Sequence, residues 1–361
     1  MRLERTFPID LPMLLGLLAL GALSLVMLYS ASNQNLDLVY KQAARLLLAL
    51  VVMVLVARIS PDTLTRWTPF IYAFGLGFLL LVLAVGIVGK GAQRWLDLGV
   101  VQFQPAEIMK LGVPMMVAWL LTRSPLPPGW RSLALAVAII GVPTVLIVMQ
   151  PDLGTALLIA ASGGLVMLLS GMSWRLIVTL LVAVAASAPL VWSFLLHDYQ
   201  QRRILTLFDP WSDPLGAGYH TIQSIIAVGS GGLAGKGWLN GSQSHLEFIP
   251  EQGTDFIFAV LAEEFGFYGG IAIVALYLFV VGRGLFISFY AQDTFTRLVA
   301  GSLSLTFFLY VFVNIGMVSG ILPVVGVPLP LISYGGTSMV TLMAGFGILM
   351  SINSHKKLMP R

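Results

Sequence analysis

A few charged side chains of this chain lie within or beside long apolar segments, and these have the chemistry to act on a substrate. Glu107 and Lys110 are spaced i, i+3 in one such segment, so a helix would put them on one face within reach of an ion pair. Asp255 begins a second apolar segment, and Asp152 lies in a turn between two others. A carboxylate so placed can act as a general base, and a cation can stabilise an anionic leaving group.

Further charges extend this set of candidates. Arg45 lies near one end of another apolar segment, and Lys236 lies in a long connection between two such segments. Glu263 and Glu264 lie about 12 Å beyond Asp255 along a helix, at a rise of about 1.5 Å per residue. Neighbouring helical residues do not share a face, so at most one of the two glutamates is expected to face a cavity. Charge inside a membrane is costly, which makes each of these residues a candidate for a functional site.

Each candidate also has a purely structural interpretation. The Glu107–Lys110 pair could serve only to fix helix packing. Asp152 and Asp255 could each cap the helix that follows them. Three histidines lie in the long connection without the H-x-x-x-H spacing of a metal site, and they are interpreted as ordinary loop residues: His197, His220 and His245.

The elements that must position these residues are membrane spans. The chain has 361 residues, of which 58% are hydrophobic and 10% are charged, and its mean hydropathy is +0.91. Soluble domains carry about 25% charged residues. Repeated apolar runs near 20 residues, separated by short polar loops, predict transmembrane helices. The chain has no cysteine, which excludes disulfides and thiol catalysis.

The predicted fold class is an all-α polytopic membrane protein of about ten transmembrane helices, in one domain over residues 1–361. The expected spans are Leu11–Ala31, Val39–Ala57, Pro69–Val88, Ala106–Leu121, Ser132–Met149, Thr155–Leu169, Trp174–Leu196, Phe256–Gly282, Phe295–Val318 and Gly336–Ile352. Between the seventh and eighth spans, residues 197–255 form a long connection, and loops of that length are usually functional or disordered.

Charge bias sets the expected orientation. An even number of spans puts both termini on one side. Twelve of the twenty lysines and arginines then lie on that side, six lie on the other, and two lie within spans. The positive-inside rule therefore predicts cytoplasmic termini and an extracytoplasmic 197–255 connection.

The ionisable residues are also distributed unevenly across the membrane. In this orientation, nearly all the intramembrane charge lies in the outer half. A transporter needs polar groups along a path through both leaflets, usually with a site at the midplane. An enzyme acting on a lipid headgroup at the outer surface needs them only there, so the pattern favours the enzyme.

Four motif segments carry a resemblance to a known family. They are Gly91-Ala92-Gln93-Arg94-Trp95 with Gln104-Pro105-Ala106-Glu107; Gln150-Pro151-Asp152-Leu153-Gly154-Thr155; the run from Gly218-Tyr219-His220 through Thr254-Asp255-Phe256 to Glu263-Glu264; and Asn314 with Gly320–Val327 and Leu331–Ser338. Together they resemble the SEDS family (shape, elongation, division and sporulation proteins) over essentially the whole chain. Within that family, the third segment is more similar to the elongation members than to the division members.

The resemblance implies a fold, an activity and partners. It implies ten transmembrane helices and a peptidoglycan glycosyltransferase that polymerises lipid II at the outer face of the cytoplasmic membrane. It also implies a class B penicillin-binding protein as partner, which crosslinks the strands. At the position matching Asp255, the family has its catalytic aspartate.

The expected site follows from that activity. Joining a sugar hydroxyl to an anomeric carbon with inversion needs one general base, for which Asp255 is the candidate. Lys110, Arg45 and Lys236 are candidates to contact the pyrophosphate or headgroup, with Glu107 holding Lys110 in place. Asp152 is expected to line the same cavity. Ser333, Tyr334 and Thr337 follow a turn rich in glycine and proline, and this segment either lines the cavity or serves in tight helix packing.

Several alternatives stay open at this point. A lipid II flippase would need a polar route through the inner leaflet, and a non-catalytic scaffold for the transpeptidase would not need a buried carboxylate beside cations. No ligand cluster in the sequence demands a metal, although a divalent cation could bridge pyrophosphate and a carboxylate.

Overall fold

The computed structural model describes residues 8–89, 92–97, 102–194, 198–214, 216, 218–245 and 251–355. Its helices are α1 Leu11–Ala31, α2 Leu36–Ala57, α3 Pro61–Val85, α4 Ala106–Leu121, α5 Trp130–Met149, α6 Leu153–Leu169, α7 Trp174–Phe194, α8 Asp198–Phe208, α9 Tyr219–Ser230, α10 Ser242–His245, α11 Ile257–Phe289, α12 Thr294–Val318 and α13 Thr337–Ser354. A short 3-10 helix covers Pro210–Ser212.

Ten of these helices correspond to the ten expected spans. Eight are long and apolar enough to cross a membrane, and α6 is a shorter apolar helix of 17 residues. The tenth is α4, with 16 residues. The prediction of a polytopic helical membrane protein is therefore confirmed.

Most boundaries differ from the expectation by three residues or fewer, and two differ by seven or more. The third span was expected to begin at Pro69, but α3 begins at Pro61, where Ser60 accepts a hydrogen bond from the backbone of Thr63 as N-cap. The eighth span was expected to end at Gly282, but α11 continues to Phe289. Arg283, the residue after the expected end, lies inside the helix and forms an ion pair of 2.7 Å with Asp10.

The core of the bundle is formed mainly by α2 against α13 and by α12 against α4, α6 and α11. In contrast, α7 lies at the periphery, and none of its described side chains is buried.

A small sheet connects α3 to α4 and was not expected from the sequence. Its strands are β1 Ile87–Gly89, β2 Ala92–Asp97 and β3 Gln102–Phe103, paired antiparallel in that order. The sheet carries Arg94 and Gln93 of the first motif segment, and Gln93 donates from its side chain to the carbonyl of Gly86 at 2.9 Å.

The eighth span is interrupted close to the expected site. Gly266 in α11 has φ +64° and ψ −158°, which breaks the helical hydrogen bonding. The freed backbone groups pair with the segment after α9: Lys236 and Gly237 donate from their backbones to the carbonyls of Glu263 and Glu264 at 3.0 and 2.9 Å. Irregular backbone at membrane depth is tolerated where the protein satisfies its polar groups in this way.

Candidate active site

Asp255 lies in the turn that immediately precedes α11. Its side chain is half-buried, and its backbone carbonyl accepts a hydrogen bond of 2.8 Å from the amide of Asn314. The same amide nitrogen donates to the carbonyl of Val327 at 2.7 Å. Asn314 is fully buried in α12, so one side chain joins the turn of Asp255 to the segment before α13.

The segment before α13 holds this turn from a second side. The Ser333 hydroxyl donates to the carbonyl of Thr254 and accepts from the backbone of Leu329 at 2.8 Å. The backbone of Tyr334 donates to the carbonyl of Gly253 at 2.8 Å. The C-terminal motif therefore fixes the backbone on which Asp255 stands, and the Ser333 hydroxyl is already engaged in that role.

Gly326 allows the C-terminal motif segment to approach the carboxylate of Asp255. It has φ +73°, and a Cβ built on it would lie 3.5 Å from Oδ2 of Asp255. This positive φ suits glycine and strains other residues.

Arg45 lies on the other side of the same segment. Its guanidinium carbon is 4.4 Å from the centre of the Tyr334 ring, a cation–π contact. One turn earlier on α2, the side chain of Gln42 donates to the carbonyl of Ser333 at 3.2 Å. Within the described part of the chain, Arg45 has no carboxylate within 4 Å, so its charge is not neutralised by an ion pair.

Glu107 and Lys110 form the expected ion pair on α4, with 2.7 Å between Oε1 and Nζ. Both are buried, and Nζ lies 5.0 Å from the centre of the Tyr310 ring. Tyr310 and Asn314 are four residues apart on α12 and share a face. The ion pair therefore lies about one helical turn, roughly 5 Å, below the level of Asn314.

Asp152 is the N-cap of α6, as its structural interpretation predicted. One carboxylate oxygen accepts from the backbone of Thr155 at 3.2 Å. The other accepts from the side chain of Gln104 at 3.1 Å and lies 3.5 Å from Nε of Arg94. The first and second motif segments, which are distant in sequence, thus meet at this carboxylate.

Within the described part of the chain, Lys236 forms no contact with Asp255 or Arg45. Its ammonium lies 2.7 Å from Oε1 of the fully buried Glu263 and 2.8 Å from the hydroxyl of Ser242. The pair fixes the segment after α9 on the first part of α11. On a different face of α11, Glu264 accepts from the hydroxyl of Ser30 on α1, in accord with the expectation of opposite faces.

Thr337 is the first residue of α13 and is half-buried. Gly336 precedes it as N-cap and supplies no capping side chain. The backbone N–H groups at such a helix start are oriented to interact with anions.

His220 was not expected to lie at the site, but it lies beside the turn of Asp255. Its ring stacks on Phe256, with 5.8 Å between centroids and 20° between planes. Burial lowers the pKa of the imidazole, and the positive charge of Arg203 lowers it further against the opposing effect of Glu251. His197 and the side chain of His245 lie outside the described residues, so their interpretation as loop residues stays a prediction.

The described residues bring together no group of three or more histidines and carboxylates that could hold a metal ion. In addition, sequence reasoning gave no role to Asn314, Gln42 or Tyr310. The sequence does indicate these three residues, because a polar side chain in an otherwise apolar membrane helix usually has a partner.

Taken together, the fold and the site define a multi-pass membrane protein whose motif carboxylate is held at the end of a span. The model of the cell cycle protein family FTSW_RODA_SPOVE matches residues 6–358. The chain belongs to this family, the SEDS proteins.

Relatives and solved structures agree with this membership. The chain is 54% identical over 353 residues to the peptidoglycan glycosyltransferase MrdB of Escherichia coli strain K12, covering 98% of this chain and 95% of the relative. It is also similar to one chain of a solved peptidoglycan synthase complex, whose structure concerns the coordination of polymerization and crosslinking. The two chains are 34% identical with a TM-score of 0.83, and the match covers 95% of this chain and 97% of the other. It is also similar to the rod shape determining protein RodA of Thermus thermophilus, with 30% identity, a TM-score of 0.72, and coverage of 95% and 96%.

Proposed function

We propose that this protein is a peptidoglycan glycosyltransferase that polymerises lipid II into glycan strands at the outer face of the cytoplasmic membrane during cell elongation. The names of its relatives and its membership of the family support the activity. The observation that carries the proposal is the fixation of the Asp255 turn by Asn314, Ser333 and Tyr334. A carboxylate at the membrane boundary, on a backbone held by three separate contacts, is preorganised for catalysis.

Asp255 is the proposed general base. The carboxylate takes the proton from the 4-hydroxyl of the acceptor sugar, and the hydroxyl oxygen attacks the anomeric carbon of the donor. The bond from that carbon to undecaprenyl pyrophosphate breaks, and the pyrophosphate leaves with the electron pair. One displacement converts an α-linkage to a β-linkage, so one base is sufficient.

Arg45 is the cation best placed to meet the leaving pyrophosphate. Lys110 and Lys236 each lie 2.7 Å from a buried carboxylate, which neutralises much of their charge. Arg45 instead stacks on Tyr334, which leaves the edge of its guanidinium to bind phosphate oxygens. The first backbone N–H groups of α13, at Thr337, add to the positive potential.

The remaining candidates fit supporting roles. Glu107 holds Lys110 on the face toward Tyr310, and Asp152 joins the motif segments that surround the same region. The described residues alone do not form a metal site, so a divalent cation would be bound mainly by the pyrophosphate of the substrate.

The proposed setting is the cytoplasmic membrane, with both termini in the cytoplasm and the connection after α7 outside. Charge bias supports that orientation. The proposed partner is a class B penicillin-binding protein that crosslinks the strands, in line with the peptidoglycan synthase complex of the structural relative.

The test uses the purified full-length protein with its candidate class B partner, incubated with lipid II. Products are resolved by glycan length on a gel, with Asp255→Ala in parallel. Glu251→Gln is the matched control, because Glu251 lies in the same turn and is exposed. Long strands from the parent and the control but not from Asp255→Ala are expected. A folded parent that makes no strands in the presence of the partner would favour a flippase or a scaffold instead. Addition of EDTA to the same assay shows whether a divalent cation is needed.

A further inference from the structure

The loop between α4 and α5, at the end of the bundle away from Asp255, has an arginine beside each of its ends. The hydroxyls of Ser124 and Ser132 lie 3.1 Å apart in a hydrogen bond that closes this loop. Arg123 and Arg131 are the residues immediately before them in sequence. Both arginines are exposed and both serines are half-buried. The hydrogen bond holds together the two ends of the loop from which the arginines extend.

Both arginines are oriented by tryptophan rings. The guanidinium carbon of Arg123 is 3.5 Å from the centre of the Trp119 ring, and that of Arg131 is 5.5 Å from the Trp130 ring. A guanidinium whose face is covered by an aromatic ring keeps its N–H edge free for bidentate binding of an oxyanion. Trp130 is itself 74% exposed, as expected for a tryptophan at the membrane interface.

The sequence around the loop provides no counter-ion. Between Glu107 and Asp198 the only acidic residue is Asp152, which lies at the other end of the bundle as the N-cap of α6. Within the described residues, no ion pair joins Arg123 or Arg131 to a carboxylate. Among the described residues, the charge of these two arginines is therefore not neutralised by the protein and is available to an anion from outside the chain.

We propose that the Arg123–Arg131 corner, defined by these two arginines with Ser124, Ser132, Trp119 and Trp130, binds the phosphate of an anionic phospholipid in the leaflet opposite Asp255. The arginines and hydroxyls bind the phosphate oxygens, and the exposed Trp130 and Leu126 contact the lipid at the interface. A basic pocket at the ends of membrane helices is the chemistry that recognises anionic headgroups. This site is separate from the proposed polymerisation site and does not depend on it.

The expected effect follows from the charges. Each arginine near an anionic surface strengthens lipid binding roughly fivefold, so the two together contribute roughly 25- to 30-fold. Replacing both arginines with glutamine should reduce binding by that factor. Ser132→Ala keeps both charges but removes the hydrogen bond that closes the loop between them, so it should give a smaller loss than the double variant.

The test measures binding of phosphatidylglycerol to the full-length protein by native mass spectrometry, with phosphatidylcholine as the neutral comparison. The variants are the parent, Arg123→Gln with Arg131→Gln, Ser132→Ala and Arg175→Gln. Arg175 is the matched control, because it follows Trp174 at the same end of the bundle but lacks a second arginine and a paired hydroxyl. Preferential binding of phosphatidylglycerol by the parent and the control, with a loss of at least tenfold in the double variant, is expected.

Three results would overturn the proposal. The double variant could bind phosphatidylglycerol as the parent does. Arg175→Gln could lose as much binding, which would indicate general surface charge. Inorganic phosphate at millimolar concentration could compete fully with the lipid, which would indicate a site for the free anion. Glycan synthesis in detergent checks folding and should be unchanged in the double variant, since these residues are remote from Asp255.

Discussion

Asn314 provides a sharp test of how the site is held, through the substitution Asn314→Leu. The amide of Asn314 satisfies two buried carbonyls, those of Asp255 and Val327. Leaving a buried carbonyl without a donor costs about 1–3 kcal/mol each. The amide oxygen of Asn314 has no partner among the described residues, so leucine also removes a similar penalty. The net expected loss of unfolding free energy is therefore about 1–3 kcal/mol, which leaves the protein folded.

The effect on activity should exceed the effect on stability. Without Asn314, the carbonyl of Asp255 loses its link to α12, while the contacts of Ser333 and Tyr334 with Thr254 and Gly253 remain. Displacement of a catalytic group by about 1 Å can lower a rate about 100-fold. We expect a 10- to 100-fold lower rate of glycan synthesis per folded molecule.

The assay compares polymerisation of lipid II with thermal unfolding in the same detergent. Ser302→Ala is the matched control, since Ser302 is buried in the same helix and donates to the carbonyl of Ser162 at 2.7 Å, remote from Asp255. The control should lose stability but keep its rate. A parental rate for Asn314→Leu, alongside lowered stability, would refute the argument that Asn314 positions the base.

Three further predictions concern other parts of the molecule. His220→Phe keeps the stacking on Phe256 but removes an imidazole whose pKa is lowered in the folded state. Below about pH 6.5 the unfolded state binds a proton that the folded state does not, so the parent should lose stability on acidification. The variant should lose less, which is measured as Tm between pH 7.5 and 5.5. Gly266→Ala puts a Cβ in close contact with the backbone nitrogen of Gly235, at a φ of +64°, so Tm should fall by an amount equivalent to about 1–3 kcal/mol or more. Asp10→Asn leaves Arg283 without its carboxylate and should lower the unfolding free energy by about 1–3 kcal/mol in a chemical denaturation series.

Each of these has a control or a contrary result. An unchanged pH dependence in His220→Phe would contradict its assignment. Gly282→Ala lies in the same helix with open space around its Cβ and should be neutral or stabilising by up to about 1 kcal/mol. An unaffected Asp10→Asn would show that the ion pair adds nothing to stability.

The membrane spans could be predicted closely because a bilayer requires apolar runs of a fixed length. The bounds of α1 and α4 agree with the expectation at both ends. The errors arose where polar residues belong to a helix. The eighth span was expected to end at Gly282, before the charge of Arg283, because the partner of Arg283, Asp10, lies 273 residues away in sequence.

The candidate site could be predicted as a set of residue types but not as a set of contacts. The Glu107–Lys110 pair is local and was expected. The contacts that fix the Asp255 turn join residues 59 and 79 positions apart, which no local pattern indicates. The same limit explains Lys236, whose pairing with Glu263 depends on the break at Gly266. The roles of the candidates in catalysis and substrate binding stay predictions, as does the single-domain organisation.

The most direct test of the central claim is the rate of lipid II polymerisation by Asp255→Asn in the purified complex, normalised to folded protein. Asparagine keeps the shape of the side chain but removes the basic carboxylate, while the backbone contacts of the turn are unaffected. General-base catalysis typically contributes about 100- to 10,000-fold, and the account predicts a loss in that range. A rate within threefold of the parent would contradict the assignment of Asp255 as the base.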